Sequence, residues 1–150
     1  MLVLERTFEV PDAEAEASAR VRTYLERVGF RDDGAGVRFS RGSAAGSFFG
    51  TDPRRWACTL ALTVTAAGQG TRLCARLEVP TIGQSVSRTE RWFFTAELDA
   101  LAPVASGELP PDPVTGELVT MARRQARIAW AVGLGFGLAA LALLVRALTR

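Results

Sequence analysis

Two cysteines, a set of carboxylates and 18 basic residues are the side chains through which this 150-residue sequence could do chemistry. There is no histidine. An imidazole base, a His-containing zinc site and a histidine pH switch are therefore excluded. All 18 basic residues are arginine, which excludes a Schiff-base lysine and the lysine of a phosphate-binding P-loop. Cys74 stands between Arg72 and Arg76, two cations able to lower a thiol pKa, but no base accompanies it. Glu90 and Glu97 lie seven apart, and Glu90 is accounted for by a helix cap. No catalytic, cofactor-binding or metal-ligating residue follows from these patterns, and no cofactor is expected.

Two stretches offer binding rather than catalysis. Residues 41–50 read R-G-S-A-A-G-S-F-F-G, small and glycine-rich enough to form a nest of backbone amides around a phosphate. They lack the spacing of a nucleotide fingerprint, and a plain connector is the simpler reading. The second stretch is one face of a sheet carrying Thr59, Thr63, Thr65, Arg72, Arg76 and Glu78, with Arg38 nearby. The candidate contact residues there are Arg38, Arg72 and Arg76, for an anionic ligand or another subunit's sheet. A solvated face is the simpler reading, because antiparallel sheets often leave one side wet.

The elements that must carry these residues are legible from periodicity. Residues 2–10 alternate, with Leu2, Leu4, Phe8 and Val10 on one side and Arg6 as the exception, which predicts a half-buried strand. Asp12 is a suitable N-cap, and Glu14 and Glu16 complement the dipole of a first helical turn. Ala17, Val21, Tyr24, Leu25 and Val28 share a face, so a helix is expected over 12–28, ended by Gly29 in the left-handed conformation. Val37 and Phe39 mark a short strand. Residues 47–50 form either a further short strand or part of a longer loop. Trp56, Cys58, Leu60, Leu62 and Val64 alternate with Ala57, Thr59, Ala61, Thr63 and Thr65, and residues 71–79 alternate likewise behind a glycine-bounded hairpin turn. Cys58 then faces the core and Cys74 faces away, so a disulfide between them would require a register slip. Ser87 and Glu90 match a capping box that opens a helix running to about 101.

The order strand, helix, three or four strands, helix predicts an α+β fold, a two-layer antiparallel sheet with its helices on one face. That order looks like small helix-grip or TATA-binding-protein-like folds, a resemblance of architecture that implies no function. The expected boundaries are a soluble domain over 1–102, a Pro-rich spacer over 103–122 and a membrane anchor over 123–150.

The anchor rests on residues 128–145, 18 in a row without a charge, proline or amide. A run of about 18 apolar residues is long enough to span a bilayer as a single helix. Ala129, Gly133 and Gly137 form a small-xxx-small face suited to close packing of two such helices. Arg123, Arg124 and Arg127 precede the run and Arg146 follows it; their balance and the charged N-terminus favour a single-pass protein with its domain on the cytoplasmic side. Residues 1–122 hold 13 arginines against 16 acids, a net −3, whereas residues 123–150 hold five arginines and no acid, a net +5. A mixed, slightly acidic domain argues against nucleic acid as a partner. The expectation is a membrane-anchored, non-catalytic binding or scaffold module, with a protein partner or a homo-oligomer. The alternative is a carrier or enzyme for an apolar small molecule, using a cavity between sheet and helices lined by Phe8, Tyr24, Phe39, Leu60, Leu62 and Phe93.

Overall fold

Strict alternation along two neighbouring strands sets the architecture. In the computed structural model, which describes residues 1–34, 36–49, 52–81, 86–108, 120–121 and 124, strands β4 (Cys58–Ala67) and β5 (Gly70–Val79) form a hairpin. Gly68 turns it at φ +61°, a conformation in which a Cβ would be strained. β1 (Leu2–Val10) pairs with the far edge of β5, while β3 (Arg38–Arg41) and the two-residue β2 (Arg31–Asp32) extend the other side. All pairings are antiparallel, in the order β1-β5-β4-β3-β2. The molecule is thus an α+β fold built on a five-stranded antiparallel sheet.

Leu60, Leu62, Leu73, Leu77 and Val79 are buried with Phe39 and Cys58. Helices α1 (Glu14–Arg27), α3 (Arg88–Asp99) and α4 (Leu101–Ala105) supply the other half of that core through Val21, Leu25, Phe93, Phe94, Leu98 and Leu101. The register sets Thr63 opposite Cys74 and Leu62 opposite Ala75. Cys58 is therefore buried, Cys74 lies on the opposite face, and both are free thiols.

Helix ends follow local chemistry. Ser87 Oγ accepts the Glu90 amide and Glu90 accepts the Ser87 amide, completing the expected capping box. At the end of α1, Gly29 stands at φ +94°. Its amide reaches the Glu26 carbonyl, and the Phe30 amide reaches that of Leu25 at 2.9 Å, the paired bonds of a Schellman motif.

Five local expectations are corrected. Asp12 does not cap α1: the cap position is Ala13, without a side-chain bond, and the Asp12 carboxylate is taken by Arg20 at 2.9 Å. Val37 is exposed and precedes β3 rather than joining it. Residues 44–49 form a short helix, α2 (Ala44–Phe49), where a strand or loop was expected. Trp56 stands outside β4, and its pairing is an isolated parallel bridge to Ser43 rather than part of that strand. Finally, the structured chain passes residue 102: Val104 and Ala105 are buried in α4. Pro103 cannot donate to a carbonyl four residues back, which accounts for the break between α3 and α4.

The apolar run at 128–145 lies outside the described residues, as do Ala129, Gly133, Gly137, Arg123, Arg127 and Arg146. Arg124 is described and exposed. Among the described residues, no helix is long and apolar enough to cross a membrane.

Candidate functional site

The open sheet face carries Thr59, Thr63, Arg38, Arg72, Cys74, Arg76 and Glu78. Register decides its electrostatics. Glu9 lies directly opposite Arg72, and Glu5 directly opposite Arg76. Arg72 Nη2 reaches Glu9 Oε1 at 2.8 Å; Arg76 reaches Glu5 at 3.2 Å and Glu78 at 3.0 Å. The hydrogen bonds that Arg72 donates to the Glu9 carboxylate hold its pKa above the usual arginine value. Two of the three expected contact arginines are therefore neutralised within the sheet. Such exposed cross-strand pairs contribute little stability but set charge complementarity for a facing surface. Arg38 has no carboxylate partner among the described residues.

A charged pair that the sequence did not disclose sits inside the core. Alternation along β3 turns Arg41 to the same side as Phe39, and both are buried. Its guanidinium meets Glu97 of α3 as a fork: Nη1 to Oε1 at 2.6 Å and Nη2 to Oε2 at 2.7 Å. The Phe30 ring, delivered by the Schellman turn, lies 4.4 Å from Arg41 Cζ. Burial alone would lower the Arg41 pKa, but the charge and hydrogen bonds of Glu97 outweigh it and raise the pKa. Cys58, opposite Arg41 on β4, has its thiol pushed up to about 11, mainly by burial. A thiol so protonated is no nucleophile at neutral pH. The Arg41 side chain forms the floor of a site without being free to serve it.

Over that floor opens a groove of about 760 Å³. Arg31 of β2 and Arg54 and Arg55 of the 3-10 turn (Pro53–Arg55) line it, with Ser40, Ser43 and the loop glycines. The turn is fixed at its start, where Asp52 Oδ1 accepts the Arg54 amide at 3.0 Å. Gly42 and Gly46 bring the loop hard against the Arg55 and Trp56 carbonyls, which a Cβ at either position would overlap. The Ser43 amide donates to the Arg55 carbonyl at 3.2 Å. Residues 42–46, part of the stretch offered in the sequence as a candidate phosphate nest or a plain connector, thus form one wall of the groove, held against the Arg55 and Trp56 backbone. The partners of that wall at Arg31, Arg54 and Arg55 carry no signal in that stretch. Among the described residues none of those three arginines has a carboxylate partner. A sequence signal for them existed only as the doublet Arg54-Arg55 after proline.

A second hollow, of about 430 Å³, lies between α1 and the end of α4, where Arg20, Tyr24, Arg27 and Glu108 meet. Arg20 there is held by Asp12 and by the Ala105 carbonyl, both at 2.9 Å, and its pKa is raised chiefly by the Asp12 bond. The interior between sheet and helices, by contrast, holds a void of about 10 Å³ beside Leu25, Phe30, Leu60 and Leu98. Among the described residues no three Cys, Asp or Glu side chains gather as metal ligands. No protein-family model, curated protein or solved structure matches this chain.

Proposed function

We propose that the chain is a membrane-anchored, non-catalytic binding module whose α+β domain docks a protein partner or a second copy of itself. The observation that carries this reading is the apolar run at 128–145, bounded by Arg123, Arg124, Arg127 and Arg146 and free of acids. A run of that length supports a single membrane-spanning helix. The small-residue face of Ala129, Gly133 and Gly137 supports pairing of two such helices. The domain then sits on the cytoplasmic side, next to the three preceding arginines. Its open sheet face, patterned with alternating Glu5, Arg76, Glu9 and Arg72, supports recognition of a surface of complementary charge. The void of about 10 Å³ in the core has room for about one water, which favours this reading over an interior apolar-ligand carrier.

The test is membrane fractionation of the full chain beside a version lacking residues 123–150, each followed by native mass spectrometry. The full chain should pellet with membranes, resist alkaline wash and release a multimer or a protein complex. Equal distribution and equal partners for the two versions would sink the proposal. Gly133→Leu with Gly137→Leu should dissolve a homo-oligomer while leaving the protein in the membrane.

A further inference from the structure

We infer that the groove bounded by Arg31, Arg54 and Arg55 is a binding site for a phosphomonoester dianion, a role independent of the anchor and of the sheet face. Three observations converge on it. The first is charge without counter-charge. Arg6, Arg20, Arg22, Arg41, Arg72 and Arg76 each have a carboxylate within 4 Å, whereas Arg31, Arg54 and Arg55 have none among the described residues; Arg27, Arg38, Arg88 and Arg91 also have none, but they do not line this groove. Among the described residues no carboxylate lines the groove; Asp33 stands just outside it, accepting from the lining Ser40 hydroxyl at 3.0 Å, and Glu97 is consumed by both Nη atoms of Arg41. Three arginines lining one concavity concentrate positive charge there, and an anion relieves the repulsion between them.

The second observation is construction. The Asp52 cap fixes the turn that presents Arg54 and Arg55, and the glycine contacts at 42 and 46 lock the opposing loop to the same backbone. The arginines are therefore displayed from a positioned frame, so less freedom is lost on binding. The third is donor chemistry. Guanidinium forks match the tetrahedral oxygens of a phosphate in pairs. Ser43 Oγ accepts the Gly46 amide at 3.0 Å and keeps its proton to donate. A volume of about 760 Å³ exceeds what a bare phosphate fills and suits a phosphorylated molecule of metabolite size or a lipid headgroup, within the range of about 300–1,000 Å³ usual for ligand sites.

The experiment is calorimetric titration of the full chain in neutral detergent at low salt. The probes are inorganic pyrophosphate, mixed micelles containing phosphatidic acid, and poly-glutamate. Pyrophosphate should bind saturably, and Arg54→Gln with Arg55→Gln should weaken it by about tenfold or more. Arg31→Gln alone, on β2, should weaken it by several-fold, which keeps the test alive if the double variant is damaged. Arg88→Gln with Arg91→Gln removes the same charge from α3 and should leave affinity within about twofold, so bulk charge is distinguished from the site. Competition by phosphatidic acid micelles assigns the phosphate to a lipid; its absence assigns it to a soluble ester. Three results would overturn the inference: no saturable binding of any phosphate probe, equal losses in the groove and α3 variants, or poly-glutamate binding as tightly as pyrophosphate.

Discussion

Arg41 and Glu97 form a two-point salt bridge inside the core, with distances of 2.6 and 2.7 Å and side chains only 4% and 10% exposed. It ties the sheet to α3 across 56 residues of sequence. Phe30 covers one side of the guanidinium at 4.4 Å, and Phe93 lies 5.9 Å away. Desolvating two charges is costly, and such a pair is retained only with close geometry. Here the geometry is close, but Arg41 Nε is buried without a hydrogen-bond partner among the described residues.

That arrangement predicts a strongly non-additive mutational cycle. Glu97→Leu leaves a buried, unpaired guanidinium and should cost about 3–5 kcal/mol; Arg41→Met should cost a comparable amount by stranding the carboxylate. The double variant strands neither charge and should recover most of the loss. Urea denaturation of the four proteins measures the coupling. Single losses that simply add would show that the pair contributes through packing alone.

Cys58 and Cys74 should separate cleanly in reactivity and in pH response. Burial holds the Cys58 thiol up to about 11, so a maleimide at pH 8 should label half-buried Cys74 and spare Cys58 until denaturant is added. Folding raises the Cys58 pKa above its unfolded value of ~8.5. Its contribution to stability is therefore complete below that value and is lost as pH rises through about 11, at up to roughly 1.4 kcal/mol per pH unit. Cys58→Ala removes this dependence. Its stability should fall less steeply than that of the wild type between those two pH values, and parallel curves would contradict the assignment.

How far the fold was legible depends on the range of the forces that set each element. The β4 and β5 faces follow from period-two alternation that only one register satisfies, so Cys58 and Cys74 could be placed on opposite sides from sequence. Gly29 and the Ser87–Glu90 box are local signals with local causes. α2 was not legible, because a six-residue helix carries too little periodicity and is held in place by the Arg55 backbone. Asp12 looked like a cap, but an arginine eight residues on took its carboxylate. The Arg41–Glu97 pair does leave a trace in the sequence: Arg41 shares the parity of Phe39, and Glu97 shares the apolar stripe of Phe93, Phe94, Leu98 and Leu101. Two opposite charges on two buried faces imply each other. The arginine groove left no such trace, since it joins three separate segments.

Removal of the α3 cap should show how much of that helix depends on its first turn. Ser87→Ala deletes the acceptor for the Glu90 amide and should cost about 1 kcal/mol, while Ser87→Asn, which restores an acceptor, should cost markedly less. Thermal denaturation resolves the two. Equal losses would mean that the serine acts outside the cap.

Gly46 offers the sharpest test of how the groove is built. Its φ is not in the left-handed region, so alanine there carries no backbone strain of its own. The added methyl would instead collide with the Arg55 carbonyl, which is backbone and cannot rotate away. Gly46→Ala should therefore push the loop from the 3-10 turn, costing about 1–3 kcal/mol. Gly34→Ala is the contrasting control: nothing lies within 4 Å of its Cβ, and its φ of +95° supplies strain without collision. Both variants should lose stability, but only Gly46→Ala should alter the spacing of Arg54 and Arg55 from the loop and weaken pyrophosphate binding by several-fold. If the two variants bound pyrophosphate equally well, the loop wall would have no part in positioning those arginines.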